Sequence, residues 1–168
     1  MDYEEAKRTF IQTWGSLGSQ WGTNRTMAQI HALLLLSPEA LSTEDIMKEL
    51  NISRGNANMN VRTLIDWGIV RKELKPGERM EYFVAIKDIW EVARRVSRER
   101  RRRELEPMMQ AVSELKALKD DGRKKEVQEL KKIVADVSEF SGNIDSMLVK
   151  FEKSDNNWFT RTFMKLLQ

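Results

Sequence analysis

Apolar residues recur every three or four positions along most of the chain, which is the spacing of one face of an α-helix. A first helix is expected at residues 6–22, and a second at residues 25–36, where a run of leucines precedes a Ser-Pro pair. Gly15, Gly18 and Gly22 do not have the GxGxxG spacing of a dinucleotide site and are expected to allow close helix packing. The apolar stripe of the first helix consists of Phe10, Trp14, Leu17 and Trp21.

Two further helices are predicted with a very short connection between them. Ser42 has the side chain of a helix N-cap, and Glu44 and Asp45 suit the positive dipole end in the first turn. This helix is expected to end at Asn51, and Ser53 is the N-cap of the next one. The pattern therefore predicts helix, short turn, helix.

A β-hairpin is predicted after Gly68, which is a suitable C-cap for the fourth helix. The segments IVRKEL and RMEYFVAI flank KPGE, whose central proline and glycine suit a type II turn. A plain loop would explain poorly why apolar residues alternate in the second segment. The expected apolar face of this two-stranded hairpin consists of Met80, Tyr82, Val84 and Ile86.

The rest of the chain is predicted to be helical. Asp88 and Glu91 form a capping box for a long helix, and Pro107 should kink or restart that helix. A turn is expected near Gly122, followed by a helix packed along a partner helix. Its apolar positions are Val127, Leu130, Val134, Val137, Ile144, Leu148 and Phe151, and a final short helix holds Trp158, Phe159, Phe163 and Leu166.

These elements predict a mainly α fold with a small β-hairpin wing: a winged helix-turn-helix domain flanked by N- and C-terminal dimerisation helices. The expected organisation is an N-terminal helix at residues 1–22, a winged domain at residues 23–87 and a C-terminal helical region at residues 88–168. Apolar stripes at both chain ends each need a partner to cover them, which favours a homodimer.

Composition argues against most enzyme chemistry. The 168 residues include no cysteine and one histidine, His31, so thiolate catalysis, cysteine-bound zinc and a Ser/His triad lack their residues. We therefore expect no enzymatic activity, no cofactor and no metal. No apolar run approaches the ~20 residues that cross a bilayer, and the acidic N-terminus is unlike a signal peptide. The expected location is the cytoplasm, with no membrane partner.

Positive charge is concentrated in the middle of the chain. The net charge is +3, yet residues 51–104 carry 14 Lys and Arg against 8 Asp and Glu, which leaves the other segments acidic overall. A basic region of this kind favours a polyanionic partner such as nucleic acid.

The segment SRGNANMNVRTLIDWG, residues 53–68, contains asparagine and glycine where a helix is expected. These residues lower helix stability by roughly 0.7 and 1 kcal/mol relative to alanine. Ala57, Val61, Leu64 and Ile65 share an inner face, so the outer face was free to serve another purpose. Asparagine can bond adenine, arginine can bond guanine, and methionine or threonine can contact the thymine methyl group. A solvated polar face is the plainer alternative, but the helix-turn-helix order favours DNA binding. The predicted DNA-binding residues are Ser53, Arg54, Gly55, Asn56, Asn58, Met59, Asn60, Arg62 and Thr63.

Two other basic groups have weaker assignments. The hairpin cations could reach a neighbouring DNA backbone or minor groove, although a solvated hairpin tip is the alternative. The run RRVSRERRRRE could lie near phosphates or form a solvated helix face, and the sequence does not separate the two. The predicted wing residues are Arg71, Lys72, Lys75 and Arg79.

Several segments resemble the GbsR-type branch of the MarR superfamily of winged-helix transcriptional regulators, from about residue 5 to about residue 115. They are SRGNANMNVRTLIDWGIVRK, KPGERMEYF, WGSLGSQWG, ALLLLSPEALSTEDI and RERRRRELEP. The resemblance implies a dimeric repressor of a double-stranded DNA operator, with the recognition helix and wing at the residues named above. It also implies a small-molecule effector such as choline. A quaternary amine would need an aromatic cage, for which the candidates are Trp14, Trp21, Tyr82 and Trp90. The alternative is that they are core residues, which aromatic residues at helical spacing are far more often.

Two rival functions remain at this stage. A winged-helix module that binds protein or RNA would show weak, sequence-blind and strongly salt-dependent binding to duplex DNA. A membrane-surface role for the arginine helix is poorly supported, because its apolar side is interrupted where the charge is densest.

Overall fold

The computed structural model describes residues 1–77, 79–117 and 124–154, which belong to two compact units, residues 1–92 and 93–168. The predicted turn near Gly122 and the predicted final helix lie outside the described residues. The helices and strands are α1 (Tyr3–Gln20), α2 (Arg25–Leu36), β1 (Leu41–Ser42), α3 (Thr43–Leu50), α4 (Arg54–Asp66), β2 (Val70–Leu74), β3 (Glu81–Ala85), α5 (Ile89–Arg100), a π-helix (Arg101–Leu105), α6 (Glu106–Leu115) and α7 (Lys124–Glu152).

Helices α1 and α2 pack closely where α1 carries glycine. A Cβ atom on Gly15 would lie 2.6 Å from Gln29 Cγ, and one on Gly18 would lie 2.6 Å from Ala28 Cβ. Both distances are far below van der Waals contact, so the prediction of close packing is confirmed for Gly15 and Gly18. Gly22 follows the end of α1 in the left-handed conformation, with φ of 75°. The predicted apolar stripe of α1 lies largely outside this contact, since Leu17 is 39% exposed.

The core of the unit at residues 1–92 is built around α2, which contacts α1, α3, α4 and β3. Ile30, Leu33 and Leu34 of α2 pack with Ile46 of α3 and Leu64 of α4, and each is at most 1% exposed. This burial explains why α2 is apolar almost all round. At the C-terminal end of α2, the ammonium of Lys87 donates to the free carbonyls of Leu34 and Leu35, each at 2.7 Å.

The predicted hairpin is confirmed, since β2 and β3 pair antiparallel. A third antiparallel strand, which was not predicted, completes the sheet in the order β1-β3-β2. Strand β1 pairs Leu41 with Phe83 and Ser42 with Tyr82. Its two residues are too few to show a strand period, and one of them is also the N-cap of α3.

The predicted apolar face of β3 was wrong in part. Met80 is 44% exposed, whereas Tyr82, Phe83 and Ala85 are all buried. Strand β3 lies between the two other strands and contacts α2 and α3. A strand covered in this way does not show the simple alternation of a half-exposed one.

Helix α5 contains the boundary between the two units. In the unit at residues 93–168, the predicted interruption near Pro107 is a π-helix at 101–105 that leads directly into α6. Proline cannot donate to the carbonyl one turn before it, which explains a change of hydrogen-bonding pattern here. Helix α7 contacts the π-helix and α6 and buries Val127, Val134 and Ser141. No helix in the described parts of the chain is long and apolar enough to span a membrane.

The predicted fold class, mainly α with a small hairpin in a winged helix-turn-helix arrangement, is confirmed.

Candidate nucleic-acid interface

Helix α4 is fixed by packing on its inner side and by a cap at its start. Ala57, Val61 and Leu64 are at most 1% exposed, and α4 contacts both α2 and α3. The hydroxyl of Ser53 accepts the N–H of Asn56 at 3.3 Å, as its predicted N-cap role requires. The outer side of α4 is therefore held at a fixed orientation.

The turn between α3 and α4 has the geometry of a tight helix-turn-helix. Asn51 ends α3 in the left-handed conformation, with φ of 50°, and α4 begins three residues later. At the start of α3, Ser42 and Asp45 form a reciprocal capping box. Hydrogen bonds from Ser42 hold the pKa of the Asp45 carboxyl below its usual range. Both ends of α3 are thus fixed by local contacts that were predicted in part.

The outer side of α4 presents most of the residues that were predicted to bind DNA. Ser53, Arg54, Gly55 and Arg62 are exposed, and Met59 is 59% exposed. The first turn contains no acidic residue, so its free N–H groups meet no carboxylate of their own helix. The half-buried members of this set are Asn56, Asn58 and Thr63.

Asn60 does not belong to this outer side, contrary to the prediction. Its side chain is buried, with 3% exposure, and its amide donates to the Asn56 carbonyl at 2.8 Å and to Asn56 Oδ1 at 2.6 Å. A buried amide needs such partners. Asn60 therefore holds the Asn56 side chain from the buried side of α4, and its own amide is not available to a base.

Two residues of α3 contact the outer side of α4, and sequence reasoning missed both contacts. The Thr43 hydroxyl donates to Asn58 Oδ1 at 3.2 Å, and Glu44 pairs with the Arg54 guanidinium at 3.0 Å. Glu44 was interpreted only as an acid that favours the helix dipole. The signal that could have found these contacts is the helix-turn-helix geometry itself, which brings the first turns of the two helices together.

The hairpin carries the four predicted wing cations, and three of them have partners within the described part of the chain. Arg71 lies 3.4 Å from Glu73, Lys72 lies 2.5 Å from Glu81, and the Lys75 ammonium lies 4.1 Å above the ring of Tyr82. Gly77 has φ of 83°, as the predicted type II turn requires. Arg79, the fourth cation, is exposed.

The arginine run forms ion pairs within the unit at residues 93–168. Arg101 contacts Asp145 at 2.6 Å, and Glu99, 8% exposed, accepts hydrogen bonds from Arg102 and Arg103. The bond from Arg102 is the main reason that the pKa of Glu99 is lowered. These contacts favour the interpretation of the run as an ion-paired helix surface.

The four aromatic candidates for a quaternary-amine cage do not form an enclosed site. Trp21 is 66% exposed and Trp90 is 42% exposed. Trp14 stacks on Phe10 with a centroid distance of 5.4 Å, and the face of Tyr82 is covered by Lys75.

A helix-turn-helix followed by a β-hairpin defines a winged helix-turn-helix domain, the class to which this site belongs. Residues 21–79 match the sequence model of the MarR family, so the chain contains a MarR-type winged-helix domain. The comparison with curated proteins found no match. A solved structure described as "Crystal Structure of a transcriptional regulator" is similar to 86% of this chain and 99% of its own, with 19% identity and a TM-score of 0.56. That likeness shows the fold. The family match, on this fold, supports a DNA-binding transcription regulator.

Proposed function

We propose that this protein is a sequence-specific regulator that binds double-stranded DNA as a homodimer and represses by occluding its operator. The observation that carries the proposal is the outer side of α4. Arg54, Gly55, Met59 and Arg62 are exposed there, and the opposite side of the helix is fixed by packing. The corresponding helix of other helix-turn-helix proteins enters the major groove, and the hairpin cations suit the adjacent backbone.

Exposed apolar surface on α1 and α7 supports the homodimer. Tyr3 of α1 is 67% exposed, and Trp21, the C-cap of α1, is 66% exposed. On α7 the exposed apolar residues follow the three- and four-residue spacing of a helix–helix seam; they are Leu130, Ile133, Val137, Phe140 and Met147. A dimer would place two α4 helices in successive major grooves, about 34 Å apart.

The dimer can be tested by light scattering across a range of concentrations. Phe140→Lys should convert a dimer to a monomer, because Phe140 is 67% exposed in the centre of the seam. Glu139→Lys changes the adjacent residue outside the seam and should leave the dimer intact. A wild-type mass of one chain at every concentration would contradict the proposal.

We also propose the GbsR-type branch, on the strength of the segments quoted above. The proposal names no effector, because the exposed positions of Trp21 and Trp90 do not support the aromatic cage that a quaternary amine such as choline would need.

The decisive experiment compares two duplexes in a fluorescence anisotropy assay: the strongest binder selected from a random DNA library and a scrambled duplex of the same composition. A preference of ~1000-fold at near-physiological salt would establish sequence-specific binding. Binding without preference that disappears as salt rises would contradict it and would favour a module for protein or RNA.

A further inference from the structure

Arg54 and Arg62 are both exposed cations of α4, but only Arg54 has a partner among the residues that the structure describes. The guanidinium of Arg54 donates from Nη2 to Glu44 Oε1 at 3.0 Å, across the turn between α3 and α4. Arg62 has neither an ion pair nor a hydrogen bond to any residue that the structure describes. The two guanidinium groups therefore differ in how freely they can turn toward DNA.

Fold stability does not explain the Glu44–Arg54 pair. Both side chains are 61% exposed, and ion pairs at that exposure contribute little to stability. Glu44 already favours the first turn of α3 through the helix dipole, and the capping box of Ser42 and Asp45 fixes that turn without it. The pair instead places a carboxylate beside the first turn of the helix that the proposed function puts in the major groove.

We infer that Glu44 is a positioning residue that holds Arg54 and makes its contact with DNA depend on sequence; this inference rests on the proposed function. A free arginine can turn toward any nearby phosphate, and such contacts supply nearly all non-specific affinity. With one Nη fixed on Glu44, the remaining donors of the planar guanidinium point in a limited set of directions. Arg54 then contributes less affinity for DNA of arbitrary sequence. A site with matching bases still accepts hydrogen bonds from the oriented donors.

Three substitutions that each remove one negative charge test this inference, with the selected and scrambled duplexes as probes. Glu44→Gln should raise affinity for the scrambled duplex about fivefold, the factor that corresponds to ~1 kcal/mol of attraction between the freed Arg54 and a phosphate at contact distance in water. Affinity for the selected duplex should stay constant or fall, so the ratio of the two affinities should fall at least about fivefold. The salt dependence on scrambled DNA should steepen by about 0.9, since one more cation is free to displace counterions.

Glu81→Gln and Glu139→Gln are the matched controls. Glu81 pairs with Lys72 of the wing, where backbone contact is proposed, so its removal should raise affinity for both duplexes by the same factor. Glu139 is an exposed residue of α7 in the other unit and reports the effect of net charge alone. In an Arg54→Ala background, Glu44→Gln should do no more than Glu139→Gln, because Glu44 acts through Arg54.

The inference would be overturned if Glu44→Gln changed the affinity for both duplexes by the same factor, or if its effect were no larger than that of Glu139→Gln. Either result would leave the proposed function intact. A wild-type protein without sequence preference would overturn the proposed function and the inference with it. Thermal melting by circular dichroism checks that each variant is folded.

Discussion

The buried amide of Asn60 donates to both the backbone carbonyl and the side-chain oxygen of Asn56, one helical turn earlier. Asn58 is held in a similar way by the hydroxyl of Thr43. Each of the two asparagines that remain on the outer side of α4 thus has its oxygen fixed by a neighbour. Fixed side chains lose less conformational freedom on binding, which favours a discriminating contact.

Asn60→Ala should therefore affect stability first. The loss of the Asn60 hydrogen bonds, partly offset by the higher helix propensity of alanine, should lower the free energy of unfolding by about 1 kcal/mol. Urea denaturation followed by tryptophan fluorescence measures this, since Trp14, Trp21, Trp67 and Trp90 lie in the unit at residues 1–92. A variant as stable as the wild type, with a large loss of DNA affinity, would instead indicate direct contact with a base.

Arg62→Ala should weaken binding to the selected duplex by ~1–3 kcal/mol, because a base contact contributes roughly that much discrimination. Its effect on scrambled DNA should be smaller. Lys75→Ala in the wing should weaken both duplexes equally, as loss of a backbone contact does. Equal losses on both duplexes for both variants, measured by anisotropy, would refute this assignment of roles.

Gly55→Ala should stabilise the protein and weaken its binding to DNA. A Cβ atom at Gly55 meets nothing within 4 Å, so alanine should raise stability by up to about 1 kcal/mol through helix propensity. No contact within the described chain requires glycine here, and close approach of a DNA backbone would. If anisotropy shows affinity at or above the wild-type value, DNA does not approach this position closely.

Gly18→Ala should have the opposite effect on stability. Its Cβ would lie 2.6 Å from the Cβ of Ala28, a short side chain that cannot move aside unless the helices separate. Overpacking of this kind costs ~1–3 kcal/mol, which exceeds the gain in helix propensity. Gly55→Ala is the matched control in the same unit, and a rise in urea midpoint for both variants would show that α1 and α2 can separate easily.

Local signals in the sequence predicted most of the helix ends. The bounds of α2, the N-caps Ser42 and Ser53, and the end of α3 at Asn51 depend on neighbouring residues. Each of these contacts spans three or four positions, so it can be inferred without knowledge of the tertiary fold.

Features that depend on distant contacts were not predicted. Strand β1 forms because Leu41 meets Phe83, and Arg54 is held because the turn brings Glu44 beside it. The burial of Asn60 depends on which side of α4 faces the core, and on a helical wheel it lies near the border of that side. A polar residue at that border gives no signal of its orientation until packing is known.

The stability of the unit at residues 1–92 should decrease in acid because of His31. The imidazole is 3% exposed, lies 6.1 Å from the Trp14 ring, and has no hydrogen-bond partner for Nε2 among the described residues. Burial, assisted by the charge of Lys87, lowers the pKa of His31 from 6.5 to about 4. Between these values the unfolded chain binds a proton that the folded chain does not, so the folded state loses stability as pH falls through this window. At about 1.4 kcal/mol for each pH unit, the loss approaches 3 kcal/mol near pH 4.

His31→Leu removes the group at similar volume, so its advantage over the wild type in urea denaturation should grow from pH 7 to pH 4. If the free energies of unfolding of the two proteins changed with pH in the same way, His31 would bind its proton equally well in the folded and unfolded states, which would contradict this prediction.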